Sequence, residues 1–237
     1  MKIAFISYPK SGRTWMRYIM NLLGGKVAFT HAGHGTSKLN EIGEPFSGIK
    51  RSVLGEKNIF MYRNPLDTAV SMYFQIHKKD FQINSRKFLK KYFKLAIRRR
   101  LPPKDINKFV LHPIWGVENI CKFNRAWHDL IAESKDGLIL SYEDARNDPS
   151  SAIQRLIDFT GAKSMNPTEI AEKSSFDSMK KLEMQGGSKE LRLHGLRNSD
   201  QESMKVRRGV IGGYRDYLSE ETILEARKVA HLYNFEV

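Results

Sequence analysis

A short polar segment near the start of the chain combines the side chains that hold an anion. Lys10 is a mobile cation, Ser11 and Thr14 are hydroxyl donors, and Gly12 lets the backbone approach a ligand closely. The apolar run Ile3–Ile6 precedes this segment, and residues with the spacing of an apolar helix face follow it. A turn from a strand into a helix collects backbone N–H groups and the positive end of the helix dipole. The sequence favours a phosphate or sulfate site here, with a ligand-free tight turn as the alternative.

The residue order in this segment differs from that of the loop that binds nucleoside triphosphates. That loop reads Gly-x-x-x-x-Gly-Lys, whereas here Lys10 comes before the single Gly12. A kinase or other phosphoryl transferase with an ordinary P-loop is therefore a disfavoured alternative.

A second basic residue stands at the end of another predicted strand. Residues 58–62 form the strand, Arg63 follows it, and Asn64 and Pro65 are suited to begin a helix. A guanidinium at this place can make two parallel hydrogen bonds to a phosphate. The alternative is an ion pair between Arg63 and Asp67 that only holds the turn.

Two histidines follow a further predicted strand, residues 26–30. His31 and His34 would then lie at the carboxyl end of the sheet, where open α/β sheets bind their ligands. One of them could act as a general base. A surface loop with incidental histidines explains the pattern equally well.

The order of predicted elements indicates an α/β fold. Apolar strand-like runs alternate with amphipathic helical segments, which predicts one domain, residues 1–237, with a central parallel β-sheet flanked by helices. The predicted helices include a basic one over 81–109, one from His112-Pro113, one over 167–182 and a last one capped by Ser219. Phe46, Tyr73, Phe81 and Trp115 are candidate walls for an apolar ligand.

The charge of the chain calls for a polyanionic partner. Lys and Arg number 40 against 26 Asp and Glu, a net charge of +14. A phosphorylated cofactor, a nucleic acid, an acidic glycan or an anionic membrane surface would each fit. The run Arg98–Arg100 keeps a nucleic-acid-binding protein as an alternative, although such a run is usually a solvated helix face.

Cysteine content and hydropathy bear on the compartment. Cys121 is the single cysteine, so no intrachain disulfide can form and a reducing compartment is the simpler expectation. No apolar run has the length of a signal peptide core or a membrane span. We expect a soluble, cytoplasmic protein.

Two of these segments resemble the cofactor site of the sulfotransferases that use 3′-phosphoadenosine 5′-phosphosulfate (PAPS). The run from Tyr8 to Trp15 resembles that family's 5′-phosphosulfate loop, Tyr-Pro-Lys-Ser-Gly-Thr-Thr-Trp, except at Arg13. Arg63 and Ser71 keep the spacing of the arginine and serine in its 3′-phosphate segment.

Further segments extend the resemblance over most of the chain. Arg207-Arg208-Gly209 followed by Gly212 is similar to the family's carboxyl-terminal Arg-Lys-Gly-x-x-Gly element. Tyr142-Glu143-Asp144 and Ser174-Ser175-Phe176 occupy the places where the family contacts adenine. The resemblance implies a fold like that of the P-loop nucleotide kinases and transfer of a sulfuryl group to a hydroxyl or amine.

The resemblance also implies roles for individual residues. Lys10 would stabilise the bridging oxygen of the departing phosphate, and His31 would take the proton of the acceptor. The implied donor is PAPS, the product is 3′-phosphoadenosine 5′-phosphate (PAP), the acceptor is a small molecule or glycan, and no metal, nucleic acid or membrane span is expected. The implied cofactor-binding residues are Lys10, Ser11, Gly12, Arg13, Thr14, Trp15, Arg63, Ser71, Tyr142, Ser174, Phe176, Arg207, Arg208 and Gly209.

The base remains open at the level of sequence. His31 in Phe29-Thr30-His31 resembles the family's Lys-Thr-His, but Phe29 stands where the family often has lysine. His34, Glu41 and Glu44 are the alternatives.

Overall fold

The central sheet of the protein is parallel. The computed structural model describes residues 1–32, 46–80, 101–163, 166–188, 193–194 and 208–236. Within these residues the sheet has four strands in the order β2-β1-β3-β4. They are β1 (Ile3–Ser7), β2 (Val27–Thr30), β3 (Lys57–Tyr62) and β4 (Gly137–Ser141). The predicted α/β class and parallel sheet are confirmed.

The register of the strands brings their carboxyl ends to one level. Ile6 of β1 pairs with Thr30 of β2 and with Phe60 of β3, and Tyr62 of β3 pairs with Ser141 of β4. The residues that follow the strands therefore share one edge of the sheet.

Helices cover both faces of the sheet. Ala4 and Ile6 pack in one cluster with Phe123 and Trp127, whereas Ile3 and Phe5 pack in the other cluster. The alternation follows from the two-residue period of a strand. The helices are α1 (Arg13–Leu22), α2 (Pro65–Phe74), α3 (Ile106–Val110), α4 (Val117–Ala132), α5 (Tyr142–Asn147), α6 (Pro149–Thr160), α7 (Pro167–Lys173), α8 (Phe176–Met184) and α9 (Glu220–His231).

Shorter elements connect them. A π-helical turn, Gln75–Asp80, continues α2. The 3-10 turns are Arg51–Val53 and Gly213–Asp216, and a small antiparallel pair joins β5 (Gly187–Ser188) to β6 (Leu193–His194).

The start of α2 has the predicted caps. The side chain of Asn64 accepts the N–H groups of Leu66 and Asp67 at 2.9 and 3.2 Å, and Pro65 occupies the first turn. Ser219 likewise caps α9 by accepting the N–H of Thr222. These caps fix where each helix begins, which matters because α2 begins directly after Arg63.

Two predicted helix boundaries are wrong. The helix predicted from His112-Pro113 begins only at Val117, because the backbone of Gly116 turns back against the carbonyl of Val110. The single helix predicted over 167–182 is two helices, because Ser174 ends the first and Ser175 caps the second by accepting the N–H of Ser178. Residues 81–100 of the predicted basic helix lie outside the described residues.

Candidate active site

A cavity of about 560 Å³ lies at the carboxyl edge of the sheet. A residue within three positions of the end of each strand lines it: His31 after β2, Lys10 after β1, Arg63 after β3 and Tyr142 after β4. The strand order therefore places these side chains across the cavity in the spatial order His31, Lys10, Arg63, Tyr142. This edge is where a sheet of this kind binds its ligand.

The loop between β1 and α1 has an unusual backbone. Both Lys10 and Gly12 have left-handed conformations, with φ of 72° and 84°. Arg63 Nη1 donates to the Lys10 carbonyl at 3.2 Å, and Lys10 Nζ lies 3.5 Å from Gln75 Oε1 on the π-helical turn. These contacts tie the loop to the neighbouring strand end and keep the Lys10 side chain in the cavity wall.

Gly12 permits a close approach between this loop and α5. A Cβ atom at Gly12 would lie 2.7 Å from Cδ2 of Tyr142, closer than van der Waals contact allows. The rings of Tyr142 and Trp15 then meet edge to face, with centroids 6.0 Å apart.

His31 is buried and held in one orientation. Its side chain is 8% exposed, and Nδ1 lies 2.7 Å from the carbonyl oxygen of Ser7. A carbonyl oxygen can only accept, so Nδ1 carries the hydrogen and Nε2 keeps its lone pair in the neutral ring. The contact with Ser7 therefore fixes the ring orientation and the tautomer of His31.

Arg63 lies between an aromatic ring and a carboxylate. Its guanidinium carbon is 4.5 Å from the centroid of the Tyr142 ring, and Nη2 is 3.9 Å from Asp67 Oδ2. Ser71, further along α2, lines the same cavity. A cation and a hydroxyl at this end can together hold a phosphate.

The segment 208–213 also lines the cavity, through Arg208, Gly209, Val210 and Gly213. Gly209 has φ of 65°, and a Cβ there would lie 2.5 Å from Cδ2 of Phe176. Arg208 donates to the hydroxyl of Tyr217 at 3.2 Å and pairs with Asp216 at 2.6 Å. The hydrogen bond with Tyr217 contributes most, and that with Asp216 next, to raising the pKa of Arg208, which keeps the side chain cationic.

Trp15 and Phe176 present two aromatic rings to the cavity, and Arg146 lies near both. Its guanidinium carbon is 5.8 Å from the Trp15 centroid and 5.9 Å from the Phe176 centroid. Arg146 Nη2 is also 3.5 Å from the carbonyl oxygen of Gly209. Ser174 lies beside this group, almost fully buried, and its hydroxyl donates to the Ala171 carbonyl. Aromatic rings of this kind can pack against a flat heterocyclic base.

Several buried polar atoms around the cavity lack a hydrogen-bond partner among the described residues. They are Ser11 Oγ, Trp15 Nε1, Arg63 Nε and Arg146 Nε. Burying a polar group without a partner is costly.

The charge of the cavity wall is strongly positive. Asp67 is the one carboxylate among the lining residues that the structure describes. The cationic lining residues are Lys10, Arg13, Arg17, Arg63, Arg146 and Arg208. Together with the aromatic rings, this wall suits a nucleotide that carries several anionic groups.

The sequence profile of the sulfotransferase domain family matches residues 44–232. The chain belongs to this family. The matched region contains Arg63, Tyr142 and the segment 208–213, whereas the Lys10 loop precedes it.

Relatives and solved structures agree with this assignment. The chain is 26% identical to Sulfotransferase 2A1 of Homo sapiens over 92% of this chain and 78% of that protein. It is 27% identical to Cytosolic sulfotransferase 14 of Arabidopsis thaliana over 76% of this chain and 49% of that protein.

Two solved structures share the fold. Mouse sulfotransferase SULT7A1 complexed with PAP has a TM-score of 0.62 at 17% identity, covering 100% of this chain and 85% of that chain. Retinol dehydratase in complex with androsterone and the inactive cofactor PAP has a TM-score of 0.62 at 15% identity, covering 100% and 82%.

Most of the predicted sulfotransferase site residues lie together in the cavity wall. Ser11 is fully buried and does not line the cavity. Arg207, His34, Glu41 and Glu44 lie outside the described residues, so their placement stays a prediction. The predicted residues in the wall are Lys10, Gly12, Arg13, Thr14, Trp15, His31, Arg63, Ser71, Tyr142, Ser174, Phe176, Arg208 and Gly209.

Sequence reasoning missed other wall residues of this sulfotransferase. Arg146 follows Tyr142 by one helical turn and Arg17 follows Arg13 by one turn, so helical spacing could have indicated both. Gln75 offers no such signal, because its position depends on the π-helical turn after α2.

The described residues of the predicted aromatic acceptor wall do not line this cavity. Phe46 packs against Phe123, and Tyr73 and Trp115 pack around Phe109 in the core. Phe81 lies outside the described residues. Phe29 and Met72 are apolar residues that line the cavity instead.

Neither a membrane-spanning helix nor a metal cluster occurs among the described residues. No helix there has the length and apolar character to cross a bilayer, and no group of three or more His, Cys, Asp or Glu side chains is arranged to hold a metal ion.

Proposed function

We propose that this sulfotransferase moves the sulfuryl group of PAPS to a hydroxyl of a small molecule, with Lys10 and His31 as catalytic residues. One observation carries the proposal: the parallel sheet ends in a single cavity whose wall holds a buried histidine, a loop lysine, a paired arginine and two aromatic rings. This set supplies a proton acceptor, a cation for a leaving group and a nucleotide site.

The residues present fit a nucleotide with 3′- and 5′-anionic groups. The loop from Lys10 to Thr14, at the start of α1, would hold the 5′ group through backbone N–H groups and hydroxyls. Arg63, Ser71, Arg208 and Gly209 would hold the 3′-phosphate. The aromatic rings of Trp15 and Phe176, with Tyr142 and Ser174 nearby, would hold the adenine base of the nucleotide.

PAPS, when bound, supplies the sulfuryl group and a phosphate leaving group. The Lys10 ammonium, fixed in the cavity wall by a backbone that Arg63 tethers, would stabilise negative charge on the bridging oxygen. A preset cation of this kind needs no reorganisation during the reaction.

His31 would act as the general base. Its Nδ1–H is committed to the Ser7 carbonyl, so Nε2 is the nitrogen that accepts the proton of the acceptor hydroxyl. Because β1 and β2 are adjacent, His31 lies next to the Lys10 loop. In-line transfer requires this placement, because the sulfuryl group would move from the leaving oxygen at Lys10 to the acceptor oxygen at His31.

The acceptor side supports a small molecule. The solved relatives include retinol dehydratase with retinol and with androsterone, and this cavity offers Phe29 and Met72 as apolar surface. The names of the plant relatives, cytosolic sulfotransferases, support a cytoplasmic location for this chain.

The test is a transfer assay that uses sulfur-radiolabelled PAPS as donor and a panel of phenols, alcohols and amines as acceptors. The buffer contains a chelator that removes metal ions. Label should reach a hydroxyl acceptor without added metal, and PAP should form in equal amount. Failure of every acceptor class, together with no binding of PAP, would overturn the proposal.

A further inference from the structure

Asp67 joins two distant segments of the chain. It lies in the first turn of α2 and is only 4% exposed. Its Oδ2 accepts the N–H of Gly212 at 2.8 Å, and its Oδ1 accepts the N–H of Tyr214 at 3.0 Å. Oδ2 also lies 3.9 Å from Nη2 of Arg63. One buried carboxylate is thus shared by the β3–α2 turn and the carboxyl-terminal segment.

Both segments carry proposed ligands of the 3′-phosphate. Arg63 belongs to the turn, and Arg208 and Gly209 belong to the segment 208–213. The positive φ angles of Gly209 and Gly212 make that segment a loop without regular hydrogen bonding, so anchors must fix its position. The contacts with Asp67 anchor its carboxyl-terminal end.

We propose that Asp67 is the positioning residue that assembles the 3′-phosphate site. It orients Arg63 and at the same time fixes the loop that carries Arg208 and Gly209. The inference rests on the proposed function. Asp67 acts through these groups, because its oxygens already accept two N–H groups and face one guanidinium.

The chemistry of the position requires a carboxylate. An ionised carboxylate has two acceptor oxygens, one for each backbone N–H, and a negative charge for Arg63. Asparagine keeps one acceptor, places an NH₂ group against the other N–H, and removes the charge. Asp67→Asn should therefore loosen the loop and release Arg63 together.

The experiment compares two nucleotides in wild type and Asp67→Asn by calorimetric titration. Adenosine 5′-phosphate would bind the Lys10 loop and the aromatic rings of Trp15 and Phe176 but has no 3′-phosphate. Its affinity therefore shows whether the rest of the site is still correctly folded. We expect wild type to prefer PAP and Asp67→Asn to lose about tenfold or more of that preference. Affinity for adenosine 5′-phosphate should stay within about twofold.

Asp148→Asn is the matched control. Asp148 also accepts a backbone N–H at a helix start, that of Ser151 at 3.0 Å, but it does not line the cavity. This variant should keep the full preference for PAP.

Two outcomes would overturn the inference: an unchanged preference in Asp67→Asn, or an equal loss of affinity for both nucleotides, which indicates a purely structural role. A wild type that shows no preference for PAP would instead remove the proposed function, and this inference with it.

A second measurement covers the case in which Asp67→Asn does not fold. In wild type, amide hydrogen exchange at Gly212 and Tyr214 should be slow without nucleotide and should slow further with PAP but not with adenosine 5′-phosphate. Fast exchange at both amides, or equal protection by the two nucleotides, would contradict the role of Asp67.

Discussion

The Nδ1 atom of His31 donates to the carbonyl oxygen of Ser7 at 2.7 Å, which joins the end of β2 to the end of β1. The same strand end leads into the Lys10 loop, so the proposed base is fixed relative to the proposed cation through adjacent, hydrogen-bonded strands. Removing the base should then affect the chemistry more than the binding of the nucleotide.

His31→Asn should lower kcat by about 10²- to 10⁴-fold, the usual contribution of a general base. The asparagine NH₂ can still donate to Ser7, so PAP affinity should stay within about twofold. Steady-state kinetics and PAP titration measure the two effects. His128→Asn is the control, because His128 is partly exposed and does not line the cavity. An unchanged kcat would move the base to another group, such as His34 or a carboxylate.

Lys10→Met should lower kcat by about 10²- to 10³-fold, as loss of a preset electrostatic group does. Methionine keeps the length of the side chain but cannot stabilise charge on the leaving oxygen. Single-turnover transfer with bound PAPS measures this step without product release. Lys26→Met, at an exposed site before β2, should leave the rate unchanged. Equal effects of the two substitutions would rule out a catalytic role for Lys10.

The sequence was informative where a function depends on local order. Lys10, Arg63 and Tyr142 each follow a short apolar strand, so parallel pairing alone predicts that they share an edge. Helical spacing from Tyr142 could have indicated the side of α5 on which Arg146 lies, but its contacts with Trp15 and Phe176 depend on how α5 packs. The late start of α4 was missed because the turn that brings Gly116 against the carbonyl of Val110 leaves no periodic signal.

Gly209→Ala should weaken PAP binding by tenfold or more, since its Cβ would collide with the ring of Phe176 in addition to about 1 kcal/mol of backbone strain. Gly24→Ala separates the two effects. Gly24 has a similar φ of 69° but no neighbouring atom within 4 Å of the added Cβ. It should lower the free energy of unfolding slightly and leave PAP affinity intact. Equal PAP affinities for the two variants would show that the Gly209 contact is unimportant.

Glu143→Gln should change how stability depends on pH. Burial raises the pKa of Glu143 above its ordinary value of 4.5, and Oε1 accepts the N–H of Asn64 at 3.0 Å. The folded protein therefore holds the proton of the Glu143 carboxyl more tightly than the unfolded chain does. The contribution of this group to the free energy of unfolding is full below pH 4.5 and is lost as pH rises through the raised pKa.

Glutamine keeps the acceptor for Asn64 without the buried charge. The midpoint temperature of thermal unfolding should fall less steeply between pH 4.5 and neutral pH in the Glu143→Gln variant than in wild type. Glu133→Gln, at an exposed site, should follow the wild-type curve. A wild-type slope in the Glu143 variant would contradict the assigned pKa direction.

The most direct test of the central claim is a calorimetric titration with PAP and with adenosine 5′-phosphate, in chelator and moderate salt. If the cavity is a PAPS site, PAP should bind at least about tenfold more tightly, because the 3′-phosphate gains charge-assisted hydrogen bonds. Arg63→Ala should remove most of that advantage and reduce adenosine 5′-phosphate affinity much less, through the lost contact with the Lys10 carbonyl. Equal binding of both nucleotides by wild type, or full PAP affinity in Arg63→Ala, would contradict the account.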